Sequence, residues 1–276
     1  MDRNLSEEVV EGFGDEWSRF DQTVLSHEDQ TEMFNAYFSI FPWHKLSESS
    51  VGFDLGCGTG RWAKLVAPRV GRLHCIDPSG AALEVARSNL NTEQNCRFHL
   101  AGVDNMPLDD ESADFGYALG VLHHIPDTET GIKSCVAKLK RGAPFLLYLY
   151  YRFDNRPWWF KAIWRLSDVG RLLISRTPYS VRYLISQVIA LVVYLPVSRL
   201  SLLLEKFGLD VGSVPLSQYR HSAFYVMRTD ALDRFGTKLE RRFTKDEIRQ
   251  MMERAGLTDI VFSDEPPYWC ALGCRR

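Results

Sequence analysis

The chain has 276 residues, 45% of them hydrophobic and 25% charged, with a formal net charge of −2. That length holds one generous domain with an insertion, or one and a half, and the composition is that of an ordinary globular protein rather than a disordered or fibrous one. A charge this close to neutral, without an appended RNA-binding motif, argues against a nucleic-acid partner. Residues 1–32 carry ten acidic residues against Arg3 and Arg19, a net of −8. Phe13, Trp17 and Phe20 punctuate this arm. Met33, Phe34, Tyr37, Phe38, Ile40 and Phe41 then form one stripe of a helix that Pro42 ends. Residues 1–50 are therefore set apart as an N-terminal helical arm.

The run Val51-Gly52-Phe53-Asp54-Leu55 reads as a buried strand that delivers Asp54 into Gly56-Cys57-Gly58-Thr59-Gly60. Glycines are needed where backbone turns tightly and comes within contact distance of a ligand. The dinucleotide fingerprint places its third glycine three residues after the second; here Arg61 holds that place and the third glycine is Gly60. A second strand, Leu73–Ile76, ends in Asp77 and Pro78, and Ser79 caps a helix over Ala81–Asn89. An acid at that strand end suits two ribose hydroxyls, because a carboxylate accepts from both. Arg97–Leu100, Phe115–Leu119 and Pro144–Tyr150 supply three further strands, and the fourth runs into Gly120-Val121-Leu122-His123-His124-Ile125-Pro126-Asp127. Strands alternating with helices predict a parallel sheet covered on both faces, with ligands beyond the carboxyl ends of its strands.

These three motifs, spread over residues 50–150, resemble those of class I S-adenosylmethionine-dependent methyltransferases, in the small-molecule, ubiquinone-biosynthesis-like type 11 subgroup. The resemblance implies an α/β fold: a Rossmann-like, seven-stranded, mostly parallel sheet with an antiparallel last strand, and S-adenosyl-L-methionine as cofactor. It implies cofactor contacts from Asp54, Gly56, Cys57, Gly58 and Gly60, from Asp77 and Pro78, and from Gly120. Relatives often carry an acid two residues before the position of Asp104, where this chain has Gly102, so the adenine contact is expected from backbone near Val103 or from Asp104. Family members also cover the cofactor with N-terminal helices, which makes the acidic arm a candidate lid with Trp17 and Phe20 as its contacts; the alternative is a solvated arm packed on the core. No metal is needed and no metal-ligand spacing is present. His123 and His124 are read as strand neighbours facing opposite sides, one packed and one toward the cleft. An acceptor hydroxyl or amine would need a base, for which His124, Tyr150, Tyr151 and His221 are the candidates.

Residues 151–243 form a helical, basic and aromatic insertion after the fifth strand. Trp158, Trp159, Phe160 and Trp164 crowd its start, and Tyr151–Lys206 carries nine basic residues against Asp154, Asp168 and Glu205, a net of +6. The most apolar run, Val188–Val197, is about ten residues, short of the ~20 that span a bilayer, and Pro196 interrupts it. A buried lid or dimer helix and a membrane-surface helix are its open readings; a transmembrane segment is not expected. Tyr219–Arg228 alternates like a strand, and in relatives the segment before the last capped helix reaches the substrate, which singles out Arg220, His221, Tyr225 and Asp230.

Residues 244–276 complete the core: Thr244 and Glu247 make a capping box, and Leu257–Ser263 and Tyr268–Gly273 read as two strands. Six cysteines without a C-x-x-C pair, and no signal peptide at the start, point to a reduced, cytoplasmic setting. The leading reading is methyl transfer to a small hydrophobic or amphiphilic acceptor, anionic or lipid-like. A catalytically silent binding or scaffold protein of the same fold is the alternative, then an NAD-dependent oxidoreductase. Homo-oligomer contact and peripheral membrane contact stay open.

Overall fold

Five short apolar runs separated by helices form the parallel part of a seven-stranded sheet. In this computed structural model the strands are β1 (Val51–Leu55), β2 (Arg72–Asp77), β3 (Cys96–Leu100), β4 (Phe115–Leu119), β5 (Pro144–Tyr148), β6 (Leu257–Phe262) and β7 (Cys270–Arg275). Their order is β3-β2-β1-β4-β5-β7-β6, with β7 antiparallel to both its neighbours. The structure describes residues 4–276, so Asp2 and Arg3 of the acidic arm lie outside it. The sheet belongs to a unit made of Met1–Arg152 and Leu239–Arg276; Phe153–Lys238 is a second unit.

β4 and β5 are buried at every position, which is why they read as unbroken apolar runs rather than alternations. β1 and β4 interlock through paired glycines and phenylalanines. In register, Gly52 faces Phe115 and Phe53 faces Gly116, and each ring fills the place a Cβ on the opposite glycine would take. Phe53, Ile132, Phe145 and Ile248 build the core on one face of the sheet, and Phe34, Phe38, Trp62 and Leu73 on the other. Each such side chain contributes ~1.5–3 kcal/mol by leaving water.

Local signals placed the helices of this unit well. After the short α3 (Ala63–Val66), Ser79 accepts from Ala82 N at the start of α4 (Gly80–Asn89); Asp127 accepts from Thr130 N at the start of α5 (Thr128–Lys138), and Thr244 with Glu247 closes both bonds of the capping box on α10 (Lys245–Arg254). The acidic arm is helical: α1 (Glu7–Arg19) lays Gly14 against Ser79 and Ala81 at the start of α4. The stripe expected as one helix up to Pro42 is shorter. α2 (His27–Tyr37) stops before Phe38 and Phe41, which stay in the core by way of turns.

The second unit is helical: α6 (Trp158–Ile174), α7 (Tyr179–Ile189), α8 (Leu195–Lys206) and α9 (Phe224–Gly236). Two expectations fail here. Tyr219–Arg228 is not a strand; a 3₁₀ turn over Ser217–Tyr219 precedes α9, because Met227, Ala231 and Phe235 pack at helical spacing, four residues apart. Pro196 does not break the apolar run either. α7 continues through a π-helical turn over Ala190–Tyr194 into α8, and Pro196 lies just after that turn, where the wider turn re-registers the ladder around the missing N–H. The result is one helix, Tyr179–Lys206, of 28 residues, long and apolar enough by length and composition to cross a membrane.

Candidate functional site

The strand order reverses between β1 and β4, and the loops leaving these two strands carry Gly56-Cys57-Gly58-Thr59-Gly60 and Gly120. In sheets of this kind such a reversal opens a crevice beyond the carboxyl ends. The backbone N–H groups of Gly56 and Cys57 both donate to Ile76 O, at 2.7 and 3.1 Å, and this lashes the loop to the end of β2. Gly58 adopts φ +53°, and a Cβ there would lie 3.2 Å from the Trp17 indole nitrogen. Gly120 adopts φ +79° with open space where its Cβ would be. Backbone is thus bare and open at Gly120, while at Gly58 the Trp17 indole takes the place a side chain would fill.

Two carboxyl groups meet at this crevice. Asp77 ends β2; its two oxygens accept from Gly58 N at 2.9 Å and from Ser79 N at 2.8 Å, and each keeps a lone pair. Burial raises its pKa from 3.8 to about 6, against the pull of the Ser79 and Gly58 N–H groups. Asp54, on β1, is 1% exposed, and neither oxygen has a hydrogen bond. Burial raises its pKa to about 8; the Tyr117 hydroxyl nearby offsets part of this without hydrogen-bond geometry, and Asp77 adds to it. An orphaned, buried carboxyl beside these loops is a demand for a cationic or donor group.

The other expected contacts are arranged around these. Cys57 is buried with its thiol against Gly58 O, Gly56 and Gly60 share the left-handed backbone of Gly58, and Pro78 follows Asp77. Val103 is buried in the core, whereas Asp104 is exposed and accepts from Asn4 N at 2.9 Å. Asn4 also bonds both polar backbone groups of Asp127, which moors the chain start to this loop. Trp17 stacks on Phe13 and reaches over Gly58, with the Arg61 guanidinium 5.9 Å from its ring. Phe20 is buried beside Asp21, whose carbonyl accepts from Asn89.

Of the four candidate bases, the structure brings His124 and Tyr150 together, their rings 5.6 Å apart. His124 Nδ1 lies 2.8 Å from Leu239 O and its ring meets Phe13 edge-on. Tyr151 packs instead by Tyr268 and Trp269, and His221 stands in the second unit, 2.9 Å from Glu205 Oε2. The histidines are not on a strand with opposite faces. They occupy the turn after β4, both buried, with ring centroids 3.9 Å apart. His123, passed over as a site residue from the sequence, is fully buried with neither ring nitrogen bonded, and its ring lies tilted against that of Tyr150 with centroids 3.9 Å apart. Burial, then His124 and Arg242, hold its pKa well below the ordinary value. Arg242 was also missed: its guanidinium lies 5.1 Å from the Tyr150 ring and bonds Glu240 at 2.8 Å. Glu240-Arg241-Arg242 carries only the signature of a solvated charge run. Among the described residues no cluster of ligating side chains could hold a metal.

Residues 53–147 match a family model described as a methyltransferase domain. Over 100 residues the chain is 32% identical to a phosphoethanolamine N-methyltransferase of Caenorhabditis elegans, covering 35% of this chain and 23% of the relative. A ubiquinone biosynthesis O-methyltransferase of Coxiella burnetii is 27% identical over 104 residues, 37% of this chain and 43% of the relative. The match therefore spans between about a quarter and two fifths of these relatives' lengths. Among solved structures, a Bacillus halodurans protein assigned as a methyltransferase superposes with a TM-score of 0.52 at 16% identity, over 84% of this chain and 72% of that one. A Haloferax volcanii protein solved with the Trm112 methyltransferase activator gives 0.51 at 14%, over 95% and 96%. At such identities the superpositions speak for the fold, and the family match for the domain. Residues 53–147 are thus similar to a methyltransferase domain, within a seven-stranded sheet of the same fold as these solved structures.

Proposed function

We propose that the chain binds S-adenosyl-L-methionine at the β1–β4 crevice and transfers its methyl group to a small hydrophobic or amphiphilic acceptor. The orphaned Asp54 carboxyl carries this reading: it suits the ammonium of the cofactor's methionine part, as the spare lone pairs of Asp77 suit a ribose diol. The bound cofactor supplies a methyl group already activated on a sulfonium. What remains for the protein is to hold donor and acceptor in line and exclude water. Bare backbone at Gly120 admits the ligand, Trp17 over Gly58 covers it, and His124 with Tyr150 are the groups placed to take a proton from an acceptor. Phosphoethanolamine, in one relative's name, is anionic, and ubiquinone, in another's, is amphiphilic, so acceptors of these classes fit the reading.

Calorimetry with S-adenosylhomocysteine tests the cofactor reading. Asp77→Ala should weaken binding by ~1.5–3 kcal/mol, about ten- to a hundred-fold, because a buried charged acceptor is lost. Binding as tight as wild type by a folded Asp77→Ala protein, or binding of NAD in its place, would sink the assignment.

A further inference from the structure

Polarity in the unit Phe153–Lys238 runs opposite to that of a water-soluble domain. α9 is its most charged helix, with Arg228, Asp230, Asp233 and Arg234, yet none of its residues is exposed. On the Tyr179–Lys206 helix, Ser186, Ala190, Ser198 and Ser201 are buried, while Leu184, Val188, Leu191, Val192, Leu200 and Leu203 are all at least half exposed. Only 22% of its most apolar window is buried. α6 repeats the pattern. Arg171 is buried and bonds Asp168 at 2.7 Å, which also takes Arg234 at 3.2 Å, whereas Trp158 is 80% and Leu166 76% exposed. Water gives no reason to turn Leu and Val outward over charged and small residues; an apolar solvent does, and there helices close on one another through small side chains.

The charges on this outer face have one sign. From Trp158 to Lys206 the exposed charged residues are Arg165, Arg176, Arg199 and Lys206. The two acids of the same stretch are held in ion pairs, Asp168 as above and Glu205 with Arg220 at 2.8 Å. Apolar side chains bordered by cations match the acyl boundary and head groups of an anionic lipid leaflet.

We infer that the outer face of α6 and of Tyr179–Lys206 lies in the plane of an anionic bilayer surface, with α9 behind it. The helix does not cross the bilayer, despite a length of ~42 Å at 1.5 Å per residue. α9 is bound along it: Arg228 Nε donates to Gln187 Oε1 at 2.6 Å, and Arg182 donates to Gly236 O at 3.2 Å. Crossing would carry the charges of α9 through hydrocarbon at the same depth. The inference stands apart from the methyl-transfer reading, since it uses no residue of the crevice.

Flotation of the full-length protein with phosphatidylcholine vesicles, with and without phosphatidylglycerol, tests it. Wild type should float with the anionic vesicles and less with the neutral ones. The triple variant Leu184→Glu, Val188→Glu, Leu191→Glu, changed only at outward positions, should bind them about tenfold more weakly or worse, with S-adenosylhomocysteine binding unchanged. Quenching of tryptophan fluorescence by brominated phosphatidylcholine, expected for wild type, needs no variant and decides the matter if the triple variant does not fold. Wild type that stays unbound and unquenched overturns the inference, as does a folded variant that floats like wild type. So does a protein that self-associates through this face and ignores lipid. Vesicle-bound protein that resists alkaline carbonate extraction would mean a spanning helix, and overturns the in-plane placement.

Discussion

Replacing Asp54 by asparagine should stabilise the ligand-free protein while impairing its ligand binding. Asp54 titrates near 3.8 in the unfolded chain and at about 8 in the folded one, chiefly because burial disfavours its charge. Between these values the folded state holds a proton that the unfolded state has lost. The contribution of Asp54 to stability is therefore fully present below pH 3.8 and is lost as pH rises toward 8. At ~1.4 kcal/mol per pH unit, the loss is about 1 kcal/mol at pH 4.5 and about 4 kcal/mol at pH 7. Asparagine has nearly the same shape and never ionises, so urea denaturation of the two proteins should diverge by about that much as pH rises. Asp77, with a pKa of about 6, titrates in both proteins and cancels in the difference. An ammonium arriving at Asp54 would drive its proton off. Calorimetry in buffers of different ionisation enthalpy should then find about one proton released when S-adenosylhomocysteine binds wild type at pH 7, fewer for Asp54→Asn, and weaker binding by the variant. A stability difference that is flat with pH, or an asparagine variant that binds equally tightly without a change in proton release, would refute the reasoning.

Trp17→Ala should weaken S-adenosylhomocysteine binding by ~1–2 kcal/mol with an unchanged far-UV spectrum, since the indole covers Gly58 from a half-buried position; unchanged affinity removes the covering role. The point substitution is a sharper probe than removing residues 1–20, because Val9, Glu16 and Phe20 are buried and Asn4 is bonded to Asp104 and Asp127. Asp168→Ala should destabilise the second unit by ~3 kcal/mol or more, because it leaves Arg171 and Arg234 buried without their shared carboxylate; a loss under 1 kcal/mol in denaturant titration would show the pair to be solvated.

What the sequence revealed and what it hid divide along a physical line. The glycine loop, the acids at the ends of β1 and β2, and the caps at Ser79 and Thr244 are fixed by chemistry within a few residues. They could be read without knowing what packs where, and the sheet followed from them. His123, Arg242 and Asn4 owe their positions to partners as far as 123 residues away, and no local pattern announces them. The insertion misled for a different reason. The apolar run left a buried helix and a membrane-surface helix both open, and Pro196 was read as a break because an interior proline removes a ladder bond, which the π-helical turn before it accommodates. The spacing was real, but Leu184, Val188 and Leu191 point outward and Ser186 and Ala190 inward. Periodicity gives the direction of a face around a helix axis; only the burial of the opposite face tells whether that direction leads to a core or to another solvent. In this unit the charged helix α9 is the covered one, and the outward direction fits the lipid surface inferred above.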